Sequence, residues 1–160
     1  MWTHPGVPAV RKRMPAGAST FFLDTNVLLY ALDGAHPAKQ RPSAAWLQHL
    51  WQGGNGRLSW QVLHEFYWNA TRKLGLGTAL TRGWVNEFVL WRPIEASPGL
   101  LALAWEWQDR AQLAYWDALI LAAALRSDAV YLLSEDFQAG RRYGACTVVN
   151  PFSTPPSALI

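Results

Sequence analysis

The sequence predicts an α/β fold: a mainly parallel central sheet with helices on both faces, in a three-layer α/β/α arrangement. Three observations carry this. Short apolar runs of strand character, Phe21–Leu23, Ala129–Leu133 and Cys146–Val149, alternate with segments of helical periodicity. A hydrophobic fraction of 51% and a charged fraction of 16% over 160 residues suit one globular core rather than a disordered chain. Two of the runs stop at acidic turns: Asp24 follows the first, and Ser134–Glu135–Asp136 follows the second. The carboxyl edge of an open α/β sheet is where ligands bind.

Taken in order, Phe21–Leu23 reads as a buried strand, and the run from Val27 to Leu32 as a helix stopped by Asp33–Gly34. Ala35–Arg41 reads as a polar connection. Pro42 suits a first helical turn, and Ala44, Ala45, Leu47, Leu50 and Trp51 give that helix an apolar face closed by Gly53, Gly54 and Gly56. Arg57–Ser59 is a short second strand. Trp60–Leu74 is a helix, because Val62, Leu63, Phe66, Ala70 and Leu74 repeat at helical spacing, with His64 and Glu65 beside that stripe. A helix follows over Leu80–Leu90, then a strand at Trp91–Ile94 interrupted by Pro93, then a helix over Pro98–Leu113. Asp117–Ser127, introduced by Tyr115 and Trp116, is apolar nearly all round and reads as the most buried helix. Ala129–Leu133 is a strand, Ala139–Tyr143 a turn or short helix, and Cys146–Val149 the last strand. One domain over residues 20–150 is expected, after a flexible extension at 1–19 and before a tail at 151–160.

Charge and cysteine usage narrow the setting. Arg11, Lys12 and Arg13 account for the whole net charge of +3: without them the 14 basic residues become 11, equal to the 11 acidic ones. The domain body is therefore formally neutral, and the basic pI of the whole chain is weak evidence that the body binds nucleic acid. The single cysteine, Cys146, has no partner for an internal disulfide, which fits a reducing cytoplasm. No apolar stretch is long enough to span a bilayer, so no membrane association is expected. Pro15–Thr20 lacks the apolar core of a signal peptide. Ten tryptophans are most simply packing residues, since base stacking requires exposed rings.

The acids form a pattern. Asp24 and Asp136 each follow a strand, Asp117 opens an apolar helix, and Glu65 lies near the start of another. In an alternating architecture with right-handed crossovers all four reach the same sheet edge. Each has an ordinary alternative: helix cap for Asp24 and Asp117, dipole partner for Glu65, turn residue for Asp136. Together they make a cluster whose members resist joint ionisation, a conflict that a divalent cation offsets. An all-oxygen set favours Mg²⁺, with Mn²⁺ as the alternative, and such ions serve phosphodiester hydrolysis. Glu135 alternates with Asp136 in direction and is expected to point away. His4, His36 and His49 read as peripheral, and His64 as packed or exposed.

Four blocks in order resemble the PIN domain family, and within it the VapC-like toxins of bacterial toxin–antitoxin pairs. They are Phe22–Tyr30 (FLDTNVLLY), Ser59–Phe66 (SWQVLHEF), Tyr115–Ala124 (YWDALILAAA) and Leu132–Gly140 (LLSEDFQAG). The resemblance covers about residues 20–150. It implies a PIN-like fold, with Asp24, Glu65, Asp117 and Asp136 as the catalytic, metal-holding quartet and Asn26 and Ser134 as polar support. It also implies endonucleolytic cleavage of RNA, inhibition by a cognate antitoxin protein, and a homodimer. Asp24, Asp117 and Asp136 are expected to hold one ion, with Glu65 completing the site or recruiting a second. Arg141 and Arg142, close after the fourth acid, are candidates for the RNA backbone, or else a solvated turn. The extension before the first strand departs from the family, which begins almost at once. The runner-up is a non-catalytic PIN-like binding module. A phosphatase of the haloacid-dehalogenase type fits poorly because Asn26 stands where it needs a second Asp. A receiver domain fits poorly because Lys73 is the last lysine.

Overall fold

A computed structural model describes residues 14–159. The basic run Arg11–Arg13 and most of the expected extension lie outside the described residues. Among the described residues five strands and six α-helices follow in the order β1 (Phe21–Leu23), α1 (Thr25–Leu32), α2 (Pro37–Gly53), β2 (Gly56–Arg57), α3 (Trp60–Arg72), α4 (Thr78–Val89), α5 (Pro98–Ala111), α6 (Tyr115–Arg126), β3 (Tyr131–Leu133), β4 (Arg142–Tyr143) and β5 (Cys146–Val149). The sheet order is β2-β1-β3-β5-β4. Every pairing is parallel except β4 with β5. Helices cover this mostly parallel sheet in the three-layer α/β/α manner expected.

The centre of the sheet is enclosed on both faces. Phe21, Phe22 and Leu23 are all buried, as are Leu132 and Leu133 beside them. Continuous burial replaces the in–out alternation of a half-exposed strand. Helix α6 is the most enclosed helix, with every residue from Ala118 to Ala124 buried. It runs into β3 through a tight turn, with Asp128 at positive φ, and so lies antiparallel to that strand. Its N-terminus therefore reaches the carboxyl edge of the sheet, although α6 does not itself follow a strand.

Four local expectations are corrected. Helix α2 begins at Pro37, not Pro42, because Pro37 takes the first helical position after His36. Pro42 sits inside the helix, at the cost of one backbone hydrogen bond near its N-terminal end. Trp91–Ile94 is not a strand. Arg92 adopts a positive φ of 54°, Pro93 has no N–H to donate, and only Ser59 and Ile94 form a bridge. Ala139–Tyr143 is neither turn nor helix throughout, since Arg142–Tyr143 pairs with β5 across a hairpin whose Gly144 has φ +58°. The second strand also starts earlier than read from the sequence, at Gly56. A Cβ there would meet the Trp91 ring at 2.1 Å, so only glycine admits the indole against this backbone.

Tryptophan use divides. Trp46, Trp84 and Trp91 are buried, whereas Trp68, Trp105 and Trp116 are more than half exposed. Packing explains only the first group. The segment after β5 is fastened to the body: Trp46 Nε1 donates to the Thr154 carbonyl at 2.9 Å, and the Phe152 ring meets Tyr30 edge-on.

Candidate active site

Leu23 and Leu133 are partners in register, so the residues that follow them, Asp24 and Ser134, emerge side by side. The Asp24 N–H donates to the Leu133 carbonyl at 3.1 Å, which continues the ladder one residue past the strands. Asp24 then turns into α1 as its N-cap, Oδ1 accepting from the Thr25 N–H at 2.8 Å. The cap explanation is therefore correct but incomplete, because Oδ2 accepts from the Ser134 hydroxyl at 2.7 Å across the sheet. Ser134 Oγ in turn accepts from the Asp136 N–H at 3.1 Å, and Asn26 Nδ2 donates to Asp136 Oδ2 at 3.1 Å. One hydroxyl and one amide thus hold the first and fourth acids in a single network.

Glu65 and Asp117 come from the helices. β2 ends at the same edge, and Ser59 caps α3 by accepting from the Val62 N–H. Glu65 stands in the second turn of α3, beyond the first-turn position that a dipole explanation requires. The Thr25 hydroxyl donates to Glu65 Oε2 at 2.6 Å, and Gln61 Nε2 donates to Oε1 at 3.0 Å. Asp117 lies in the first turn of α6, whose N-cap position belongs to Ala114, so Asp117 does not cap the helix. It accepts no side-chain hydrogen bond from the described residues and is half-buried.

The electrostatics follow from this crowding. Burial pushes the Asp24 carboxyl up to about 6, the Ser134 and Thr25 hydrogen bonds oppose the rise, and the charges of Asp136 and Glu65 add to it. Burial also raises Asp117, and the same two neighbours raise it further. Among the described residues none of the four acids has an ion-pair partner. Among the described residues, neutral donors meet the charge of Asp24, Glu65 and Asp136.

That donor set suits a hard divalent cation, which takes carboxylate oxygens. Among the described residues no three His, Cys, Asp or Glu side chains are grouped closely enough to chelate one ion as they stand. Asp117, which accepts no side-chain hydrogen bond from the described residues, is the least restrained of the four.

Other expected residues separate. Glu135 is turned aside by Lys39, whose Nζ donates to Oε2 at 2.6 Å while lying 4.5 Å from the centre of the Tyr30 ring. His64 is exposed. Arg141 and Arg142 make their contacts within their own hairpin: the Arg141 guanidinium lies over Tyr143, and Arg142 Nε donates to the Gly144 carbonyl. Thr25 and Gln61 went unrecognised as site residues. Gln61 carried a usable signal, four residues before Glu65 on one helix face. Thr25 carried none, because its bond to Glu65 depends on how α1 packs on α3.

The profile of the PIN domain family matches residues 21–144. Comparison with curated proteins gives no match.

Proposed function

The chain belongs to the PIN domain family, and from that premise we propose that it is a metal-dependent endoribonuclease and the toxin of a VapC-like toxin–antitoxin pair. PIN domains are generally nucleases and usually use divalent metal ions. The observation that carries the reading is the gathering of four carboxylates from β1, α3, α6 and the β3 edge with no cation among the described residues to balance them.

Asp24, Glu65, Asp117 and Asp136 would hold Mg²⁺ or Mn²⁺, which when bound supplies Lewis-acid stabilisation of the phosphate and activation of water. The chain's own residues do the positioning. Ser134 and Thr25 keep Asp24 oriented, Thr25 and Gln61 orient Glu65, and Asn26 holds Asp136. Hydrogen bonding to the charged form favours ionised carboxylates, the state a cation needs. Arg141 and Arg142 offer backbone contacts to RNA from the neighbouring hairpin. The VapC-like role, restraint by a cognate antitoxin protein and a homodimeric state rest on the four-block resemblance, and a cytoplasmic setting rests on the single cysteine. Among the described residues no helix is long and apolar enough to cross a membrane.

The test is cleavage of RNA by the purified protein with Mg²⁺ or Mn²⁺, with chelator, and with Asp117→Asn. Metal-dependent cuts that vanish in the variant are expected. A folded wild-type protein inert toward RNA under every metal condition would return it to the class of binding modules. Growth arrest on expression, relieved by Asp117→Asn, tests the toxin role, and sequencing of new RNA ends identifies the target.

A further inference from the structure

A cavity of about 600 Å³ opens beside the acids, between the start of α3, the start of α5 and α6. Its volume lies within the range of small-ligand sites, about 300–1,000 Å³. Trp60, His64 and Trp116 supply aromatic faces, Leu101 and Leu119 an apolar floor, and Ser97 a hydroxyl. Glu65 and Gln61 belong to its wall as well as to the acid network.

We propose that this cavity receives one unstacked nucleobase of the RNA strand whose phosphate lies at the acids, a proposal that rests on the ribonuclease reading. Three observations favour a base. The cavity is continuous with the acids: Glu65 is shared, and Trp116 immediately precedes Asp117 on α6. Gln61 fastens the two together, since its amide donates both to Glu65 and, at 3.4 Å, to the Trp116 carbonyl. The lining contains no Lys or Arg, so it offers a phosphate no lysine or arginine charge, whereas a flat, apolar-faced group is well served. Finally, the Trp116 side chain is left 64% exposed at the mouth, although burial is the usual fate of an indole. Single-stranded RNA is read through bases splayed onto aromatic side chains.

The experiment uses short single-stranded RNAs carrying one abasic residue at successive positions. Binding is measured by fluorescence anisotropy in the Asp117→Asn background with Mg²⁺, and cleavage with the wild-type protein. One position beside the cut is expected to lose about tenfold in affinity when its base is removed, the order one base–aromatic stack contributes. Adding Trp116→Ala is expected to make base-bearing and abasic RNAs bind alike, with unchanged circular dichroism. A wild-type protein that cleaves RNA yet is indifferent to every abasic position overturns the pocket and leaves the nuclease standing. Failure to bind or cleave any RNA overturns both. If Trp116→Ala keeps its base dependence but changes its mass in light scattering, the cavity is a contact between copies and the proposal falls.

Discussion

Replacing Asp24 by Asn should stabilise the metal-free protein at alkaline pH. The Asp24 carboxyl titrates near 3.8 in the unfolded chain and is pushed up to about 6 in the fold, mainly by burial. Between those values the native state holds more protons than the unfolded one, so stability falls as pH rises. Asp24's favourable contribution is complete below about 3.8 and lost once pH passes about 6. A shift of roughly two units corresponds to about 3 kcal/mol. Asn carries no charge at any pH and escapes this loss. It also reverses the bond to Ser134, because Nδ2 must donate where Oδ2 accepted, and the stranded hydroxyl costs about 1 kcal/mol. The net gain is about 2 kcal/mol, or roughly 4–8 °C in Tm for a chain of this size. Thermal unfolding of both proteins in chelator, near pH 8 and near pH 4, reads it directly. The gap should be wide at the higher pH and close or reverse at the lower. A variant less stable than the wild type near pH 8, with a gap independent of pH, would show that Asp24 is not held against its charge.

Saturating Mg²⁺ should raise the Tm of the wild-type protein, since a ligand of the folded state stabilises it by mass action, and should do far less for Asp117→Asn. Ser134→Ala removes the hydroxyl that favours ionised Asp24; the carboxyl then rises further, and the acidic limb of the kcat/KM profile moves to higher pH. Thr25→Val leaves Glu65 without its 2.6 Å donor and should lower kcat about tenfold, by analogy with other orienting partners of ligands, with little change in Tm. Gly56→Ala should destabilise by about 1–3 kcal/mol through overpacking against Trp91, measured by denaturant unfolding, while cleavage per folded molecule stays near wild type.

How legible the molecule was depends on which forces acted locally. Two acids of the candidate site stand at element boundaries that short-range pattern marks: Asp24 after an apolar run, Asp117 at the head of an all-apolar helix. β3 and β5 were found for the same reason. β4 was missed because two residues carry no periodicity and are made a strand only by their neighbour. Pro42 misled because proline preference at a helix start was met five residues earlier by Pro37. Trp91–Ile94 reads as apolar and extended, but it is shaped by the need to bring the Trp91 indole over Gly56. Thr25 lies beyond a one-dimensional reading, because its bond to Glu65 is made between helices.

The bond from Ser134 to Asp24 joins residues 110 positions apart, as does the one from Asn26 to Asp136. Contacts of such separation form late, after the intervening chain has condensed. During synthesis Asp24 emerges early, but its partners follow only when most of the domain has left the ribosome. A nascent or truncated chain ending before β3 has Asp24, Glu65 and even Asp117, yet lacks Ser134 and the fourth acid, Asp136. For a protein proposed to destroy RNA, this topology delays competence until the chain has been made through Asp136.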